Sequence, residues 1–178
     1  MSGGKDHESD NHAIAGLWSA ESGQSGQWKP IRAGHMTDED TVGFDEEGRY
    51  VAQTGAVTVR VRPQYDDFRS KPERGAYLWL YHVLIENEGP DTVQLISRHW
   101  RITDANGQQQ AVDGPGVVGE QPILQPGDSF SYTSGCPLTT SSGMMRGHYV
   151  MASADQGEFP VTIPPFSLDI PDERGPMN

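Results

Sequence analysis

A glycine- and proline-rich stretch, residues 111–136 (AVDGPGVVGEQPILQPGDSFSYTSGC), restricts the fold more than any other part of this chain. It matches the G-x-G-x-x-G pattern of dinucleotide-binding folds at Gly114, Gly116 and Gly119. In those folds the glycines open a helix whose N-terminus holds the pyrophosphate. Here Pro115 lies inside the pattern and Pro122 follows it, and proline is incompatible with a helix interior. The stretch therefore predicts a loop of a β protein rather than a nucleotide-binding helix.

Apolar and polar residues alternate with a period of two downstream of this chain's acidic start. In residues 57–62 (VTVRVR) the valines share one face, which is typical of a half-buried strand. Residues 77–85 (YLWLYHVLI) are apolar at both parities, which favours a central strand covered on both sides. Prolines place residues 159–163 at a sheet edge. A parity change within residues 93–103 predicts a β-bulge near Ser97.

About seven strands can be placed in this way, and no helical periodicity competes with them. We therefore predict an all-β fold, a β-sandwich, with an open barrel as the alternative. The predicted domain spans residues 51–170. It lies between an acidic N-terminal extension, residues 1–50, and a flexible C-terminal tail, residues 171–178.

The N-terminal extension has only isolated apolar residues, so it cannot bury enough surface to offset its ordering entropy. We predict that the extension is disordered and that residues 38–47 form a solvated acidic leader. The alternative for Trp18 and Trp28 is that they belong to a short binding element within the extension. The step GHMT at residues 34–37 also reads like a cloning junction or an internal start, in which case the preceding residues say nothing about function.

The charge balance and the cysteine count exclude several classes of protein. With 25 acidic and 13 basic residues the net charge is −12, whereas nucleic-acid binding requires clustered Lys and Arg. A single cysteine cannot form an intramolecular disulfide, and no signal peptide opens the sequence. No apolar run approaches the roughly 20 residues that span a bilayer. We therefore expect a cytoplasmic protein that binds no nucleic acid and does not insert into a membrane.

Six motifs in residues 53–168 together resemble the bacterial ApaG family. In chain order they are VQL leading to SRHW (93–100), ITD (102–104), GPGVVGEQP (114–122), YTSGCPL (132–138), MRG (145–147) and IPPFSL (163–168). The resemblance implies a fibronectin type III-like sandwich, in the same class as the immunoglobulin fold. It also implies a link to the homeostasis of divalent cations, cobalt and magnesium, and relatives in which the domain is appended to larger proteins. It implies no family-wide enzymatic activity.

The glycine loop has two interpretations. Gly114, Gly116 and Gly119 fit a tight loop at one end of the sandwich. Alternatively, consecutive N–H groups of the loop form an anion nest for a phosphate-containing small ligand, with Arg98 or Arg146 supplying positive charge.

Metal-binding and catalytic constellations are not recognisable in the sequence. His82, His99 and His148 lie in different predicted strands without the close spacing of metal ligands, and His82 shares the parity of core leucines. Oxygen donors that a hard cation prefers lie near the glycine loop at Asp104, Asp113 and Glu120. Cys136 has no adjacent base or helix N-terminus, so we predict a buried, inert thiol. We assign no metal ligands, no catalytic residues and no cofactor.

Tryptophan, arginine and methionine are enriched at the centres of protein interfaces. Trp100, Met145 and His99 are therefore candidates for an interaction surface, although Trp100 and Met145 fit the sandwich core equally well. The first functional hypothesis is a non-enzymatic interaction module with a protein partner of unknown identity. The alternative is a small-ligand binder that recognises pyrophosphate, a nucleotide or a divalent cation at the glycine loop. Edge strands leave homodimerisation open.

Overall fold

Ten strands form in residues 41–171, the part of the chain that this computed structural model describes. They are β1 (Thr41–Phe44), β2 (Tyr50–Thr54), β3 (Val57–Tyr65), β4 (Tyr77–Asn87), β5 (Val93–Asp104), β6 (Gln109–Pro115), β7 (Ile123–Leu124), β8 (Ser129–Leu138), β9 (Ser142–Ser153) and β10 (Gly157–Asp169). The one helical element in these residues is a 3₁₀ turn at Pro72–Arg74, and no helix among them is long and apolar enough to cross a membrane. The all-β prediction is confirmed, with more strands than the sequence pattern indicates.

Two antiparallel sheets pack face to face. The strand order is β1-β2-β3-β4-β8 in the first sheet and β10-β9-β5-β6 in the second, with β7 paired to the start of β5. The predicted β-sandwich is confirmed. The alternative of an open barrel is wrong, because within residues 41–171 no ladder of backbone hydrogen bonds joins the two sheets into one.

Aromatic side chains from both sheets fill the space between them. Trp79 and Tyr81 of β4 lie in one buried cluster with Trp100 of β5, Tyr149 of β9 and Phe166 of β10. Tyr81 and Trp100 meet edge to face with their ring centroids 5.4 Å apart, and Trp100 and Phe166 do so at 6.0 Å. Each such pair contributes about 0.5–1.5 kcal/mol beyond the burial of its area. Trp100 therefore lies at the centre of the core.

Two features predicted from the sequence pattern, a β-bulge in β5 and the edge position of β10, are present. The pairing of β5 with β9 shifts register between Leu95 and Ser97, which confirms the predicted β-bulge. The extra residue allows Leu95 and Trp100 to point into the core together. β10 is an edge strand of the second sheet, as predicted, and Pro164 and Pro165 fall within a register shift of their own.

The face of β4 that carries His82 differs from the prediction. Buried residues alternate along β4 with half-buried ones, so one face lies in the core and the other is only partly covered. His82 belongs to the partly covered face, which corrects the expectation of a core histidine. Its ring Nδ1 hydrogen-bonds with Thr133 Oγ1 at 2.6 Å.

The N-terminal boundary of the domain also needs correction. β1 lies wholly before residue 51 and β2 begins at Tyr50, so the folded domain begins at least ten residues before the predicted start. Residues 38–47 are not simply a solvated leader, because Asp45 binds the guanidinium of Arg49 at 2.6 Å and lies 3.5 Å from that of Arg60. The predictions for residues 1–40 and 172–178 lie outside the described residues.

The two long edges of the sandwich are unlike each other. Along one edge, β10 is tied to the first sheet by a hydrogen bond between the Tyr50 and Ser167 hydroxyls at 3.0 Å. The Thr162 amide donates to Thr54 Oγ1 at 3.0 Å along the same edge. Along the other edge, β6 of the second sheet faces β8 of the first across a cleft. This cleft is the principal concave feature at the glycine loop.

Candidate functional site

The glycine loop after β6 is a tight turn. The Gly116 amide donates to a β5 carbonyl at 2.9 Å, and Val117 and Glu120 exchange backbone hydrogen bonds at 2.8 and 2.9 Å. Val118 and Gly119 make the turn with positive φ angles of 45° and 80°. A Cβ on Gly116 would overlap the carbonyl oxygen of Glu120. The loop is therefore not the start of a helix, in agreement with the exclusion of a dinucleotide-binding fold.

Arg98 fastens this loop to β5. Its Nη1 donates to the carbonyl oxygens of Pro115 at 2.9 Å and Gly116 at 2.8 Å. Gly114 leaves room for the guanidinium, because a Cβ there would lie 3.3 Å from both terminal nitrogens. Arg98 forms no ion pair with another residue of the described range. A half-buried cation thus has backbone carbonyls, and no carboxylate, as its partners.

The cleft between β6 and β8 has a volume of about 550 Å³. One wall comes from the second sheet and carries Trp100, Val112 and Met145. The opposite wall comes from the first sheet and carries Tyr81, Tyr132 and Cys136. Arg98 and the turn at Val118 and Gly119 contribute to the lining from the glycine-loop end. The cleft therefore combines apolar walls with polar lining residues, among them Asp113 of β6 and the cationic Arg98 at the glycine-loop end.

The hydroxyl-bearing residues Tyr81, Tyr132 and Ser134 line the cleft. The Tyr132 hydroxyl lies 2.5 Å from that of Tyr149, and Tyr81 hydrogen-bonds with Ser134. Burial raises the pKa of Tyr81 to about 12, and the pKa of the other two tyrosines also rises mainly because of burial. All three rings are uncharged near neutral pH.

Cys136 is buried in the wall of the cleft, as predicted. Burial raises the pKa of its thiol to about 12, so the thiolate that would act as a nucleophile is scarce. This environment is opposite to that of a reactive cysteine.

The outward-facing side of the second sheet carries a different cluster. The rings of His99 and His148 stack across β5 and β9, with centroids 4.7 Å apart and an interplanar angle of 13°. Two cross-strand pairs further along, and therefore next on the same face, Arg101 lies directly opposite Arg146. Asp113 of β6 accepts from Arg101 at 2.8 Å and lies 3.0 Å from His99 Nδ1. We call His99, Arg101, Arg146 and His148 the outer-face patch.

The electrostatics of the outer-face patch follow from these contacts. The hydrogen bond from Arg101, together with His99, lowers the pKa of Asp113. Partial burial lowers the pKa of His148, and the neighbouring His99 and Arg101 lower it further. The patch therefore has one carboxylate, already engaged, beside two arginines and two histidines.

The structure separates the residues that sequence reasoning grouped as an anion site. Arg98 is beside Gly114 and Gly116, whereas Arg146 is exposed on the opposite face of the second sheet. The inclusion of Arg146 in a site at the glycine loop is therefore wrong. Alternation along β9 explains this, because the preceding Met145 is buried and successive side chains point to opposite faces.

The predicted interaction surface is corrected in the same way. Trp100 and Met145 are 2% and 1% exposed and belong to the core, so they are not surface residues, although both contribute to the wall of the cleft. His99 points outward, away from both. The parity of β5 separates His99 from Trp100, because adjacent residues of a strand face opposite sides.

The three oxygen donors near the loop do not converge. Asp104 Oδ1 accepts from the amides of Asn106 and Gln108 and closes a turn, and Asp113 is engaged with Arg101. Glu120 is exposed in the glycine loop. Within residues 41–171 no group of three or more His, Cys, Asp or Glu side chains is arranged to hold a metal ion.

Sequence reasoning missed two sets of residues. The tyrosines 81, 132 and 149 come together only through the packing of the two sheets, so no local pattern announces them. Arg101 and Arg146 become neighbours through the register of β5 with β9. A pairing of those two strands, deduced from the bulge near Ser97, is the one signal that could have found the second set.

Known proteins resemble this chain closely. A family model described as the ApaG domain matches residues 67–153. Protein ApaG of Brucella canis is 54% identical over 129 residues, which is 72% of this chain and 99% of the relative, and Protein ApaG of Brucella abortus has the same identity and coverage. The crystal structure of a Bordetella pertussis protein described as ApaA is 46% identical, with a TM-score of 0.64 over 65% of this chain and 94% of that one.

Proposed function

The chain belongs to the ApaG domain family, and on that premise we propose that it is a non-enzymatic protein-interaction module whose docking surface is the outer-face patch. The observation that carries the proposal is the pairing of like charges across β5 and β9. Arg101 faces Arg146, and His99 stacks on His148 in the next pair on the same face. Like charges placed directly opposite in an antiparallel pair destabilise the sheet. An acidic segment of a partner would relieve that repulsion.

The remainder of the protein supports an acidic partner segment for this face. The chain carries a net charge of −12, so a cationic patch stands out against its surroundings. Arg146 is exposed and forms no ion pair within residues 41–171. Charge complementarity of this kind steers a partner to one face and fixes its orientation.

The proposal includes the role in cobalt and magnesium homeostasis that the family resemblance implies, and assigns it to the complex with the partner. Direct cation binding at the histidines is disfavoured by electrostatics. Arg101 contacts the same carboxylate as His99, and its charge already lowers the pKa of His148. A positive charge that opposes protonation of a histidine also opposes the binding of a metal cation beside it.

The test compares two charge reversals. Arg146→Glu changes the outer-face patch, and Arg62→Glu changes an exposed arginine on the first sheet. Both tagged variants and the wild-type chain are used to capture proteins from a lysate of the native host, and recovery is quantified by mass spectrometry. We expect at least about fivefold lower recovery of the same partner with Arg146→Glu only. Equal recovery by all three chains would remove the patch as the docking surface.

A second candidate function is the binding of pyrophosphate or a nucleotide at the glycine loop. Arg98, which lacks a carboxylate partner, favours it, as do the amides of Val118 and Gly119, which make no hydrogen bond within residues 41–171. NMR titration with pyrophosphate, ATP and Mg²⁺ tests it, with shifts expected at residues 116–119. Absence of shifts at millimolar ligand rejects this candidate.

A further inference from the structure

We propose that the cleft between β6 and β8 is a binding site for a small organic anion with an apolar body. Arg98 receives the anionic group, and the walls formed by the two sheets receive the apolar part. The site lies on the other side of the second sheet from the outer-face patch, so the inference goes beyond the protein-interaction role. It shares Arg98 and the turn at Val118 and Gly119 with the second candidate function, but it adds the apolar walls and calls for a different class of ligand.

The size and the walls of the cleft fit an organic molecule. Its volume of about 550 Å³ lies within the range of roughly 300–1,000 Å³ that is usual for small-molecule sites. Trp100, Met145 and Tyr132 of the walls are at most 4% exposed, and they are fixed by the packing of the sandwich core. A preformed apolar wall of this kind binds a flat or branched hydrocarbon group without reorganisation.

The proposal that the ligand is an anion rests on Arg98. The guanidinium uses Nη1 for both of its bonds to the loop, which leaves the donors on Nη2 and Nε without a partner in the described residues. The positive charge of Arg98 reaches into the cleft, because it lowers the pKa of Tyr81, Tyr132 and Tyr149 against the larger effect of burial. A half-buried cation without a counter-ion is unfavourable, and a carboxylate, sulfonate or phosphate group would supply one.

The charge of the surrounding chain favours a single negative charge over a polyphosphate. The net charge of −12 repels polyanions. Among the described residues Arg98 is the one cationic residue that lines the cleft, and Asp113, which also lines it, has its carboxylate paired with Arg101 and His99. The tyrosine hydroxyls and Ser134 are neutral and offer hydrogen bonds only. The observations therefore indicate an amphipathic monoanion rather than pyrophosphate or a nucleotide.

Three probes distinguish these ligand classes on the full chain. The fluorescent anion 1-anilinonaphthalene-8-sulfonate combines one negative charge with aromatic rings. N-phenyl-1-naphthylamine has the same rings and no charge, and pyrophosphate has charge and no rings. We expect saturable, one-to-one binding of the sulfonate, weaker binding of the neutral amine by about tenfold or more, and no competition from millimolar pyrophosphate.

Two pairs of variants locate the site. Arg98→Gln should weaken sulfonate binding by about tenfold or more while leaving the neutral amine unaffected, whereas Arg146→Gln on the outer face should change neither. Val112→Trp should fill the cleft and weaken both probes, and Val150→Trp, on the opposite face of the same sheet, should weaken neither. Circular dichroism and thermal unfolding confirm that each variant is folded.

The second pair keeps the test decisive if Arg98→Gln loosens the glycine loop. Sulfonate binding that is the same in Val112→Trp as in the wild type would overturn the proposal, as would no saturable binding at all. Displacement of the sulfonate by pyrophosphate would overturn the preference for a monoanion and would support the second candidate function instead. Loss of partner capture in Arg146→Glu has no bearing on this cleft, so the two proposals fail separately.

Discussion

At the scale of single residues, Gly147 sets the distance between β9 and β5. It lies opposite Trp100 on the inner face of the sheet, between the buried Met145 and Tyr149. A Cβ at this position would overlap the carbonyl oxygen of His99, a backbone atom that cannot move without breaking the ladder. The absence of a side chain thus allows the Trp100 strand to pair closely with β9.

Gly147→Ala should therefore destabilise the domain strongly. Overpacking against a backbone carbonyl is expected to lower the unfolding free energy by about 3 kcal/mol or more. Urea denaturation followed by tryptophan fluorescence measures the change. Gly43→Ala is the matched control, because a Cβ there meets no atom within 4 Å. Similar stability of the two variants would contradict the proposed clash.

His82 gives the domain a pH dependence on the acidic side of neutrality. Burial, with help from Arg62, lowers its pKa below the usual 6.5, so the unfolded chain binds a proton more readily. Its contribution to stability is therefore present above about pH 6.5 and is lost as the pH falls through the folded-state pKa. The carboxylate of Asp45 titrates below its ordinary value of 3.8, outside that window.

Replacement of His82 by Gln should reduce the loss of stability on acidification. The unfolding free energy of the wild-type chain is expected to fall between about pH 7.5 and about pH 5.5 by more than that of His82→Gln. Urea titrations at the two pH values measure both losses. An equal loss in the two proteins would assign the effect to another group, such as His148, whose pKa is lowered too.

At the scale of elements, the hairpin of β1 and β2 depends on one carboxylate. Asp45 accepts from the amides of Glu47 and Arg49 at 3.0 and 2.9 Å and from Arg49 Nε at 2.6 Å. Although partial burial raises the pKa of Asp45, the hydrogen bonds from Arg49 lower it to a net value below 3.8. The same carboxylate faces Arg60 of β3, so it joins the hairpin to the rest of the first sheet.

Asp45→Ala should detach this hairpin from β3. Loss of the charge-assisted hydrogen bonds is expected to lower the unfolding free energy by about 2 kcal/mol, and limited proteolysis should cleave the turn at residues 45–49 faster. Glu46→Ala, at an exposed neighbour, is the control and should behave like the wild type. Equal proteolysis rates in the two variants would show that the carboxylate does not hold the hairpin.

Local sequence pattern predicts some elements better than others for physical reasons. The strands β3, β4 and β10 carry clear alternation or prolines, and each was identified. β1 is four residues long with mostly exposed side chains, and β7 has only two residues, so neither presents a period to detect. The Asp45 carboxylate, in the turn between β1 and β2, is buried because it pairs with Arg49 and Arg60. An acidic run in the sequence does not reveal those partners.

At the scale of the whole molecule, packing of two sheets decides which functional residues meet. The sequence predicts the sandwich and places Arg98 near the glycines, since both rest on local patterns. The cleft could not be predicted, because its walls come from strands far apart in the chain. The separation of Arg98 from Arg146 likewise depends on the register between β5 and β9.

Cys136 offers a reporter of opening at the cleft. Burial raises the pKa of its thiol to about 12, so the thiolate is scarce at pH 8, and the side chain is 2% exposed. Labelling by 5,5′-dithiobis(2-nitrobenzoic acid) should therefore be far slower in the native protein than in urea, and its rate should follow the population of molecules in which the β6–β8 side has opened. Rapid native labelling would show that the cleft exposes the thiol without unfolding.

The two long edges of this sandwich are not held together equally well. Hydrogen bonds of Tyr50 with Ser167 and of Thr54 with Thr162 join the two sheets along one edge. Along the other edge, β6 and β8 are separated by the cleft. Thermal fluctuations should separate the two sheets at the β6–β8 edge first, so amide protons of β6 should exchange with solvent sooner than those of β9. A molecule bound between β6 and β8 would hold this edge closed and slow amide exchange in β6, and it would leave the exchange rates along the hydrogen-bonded edge unchanged.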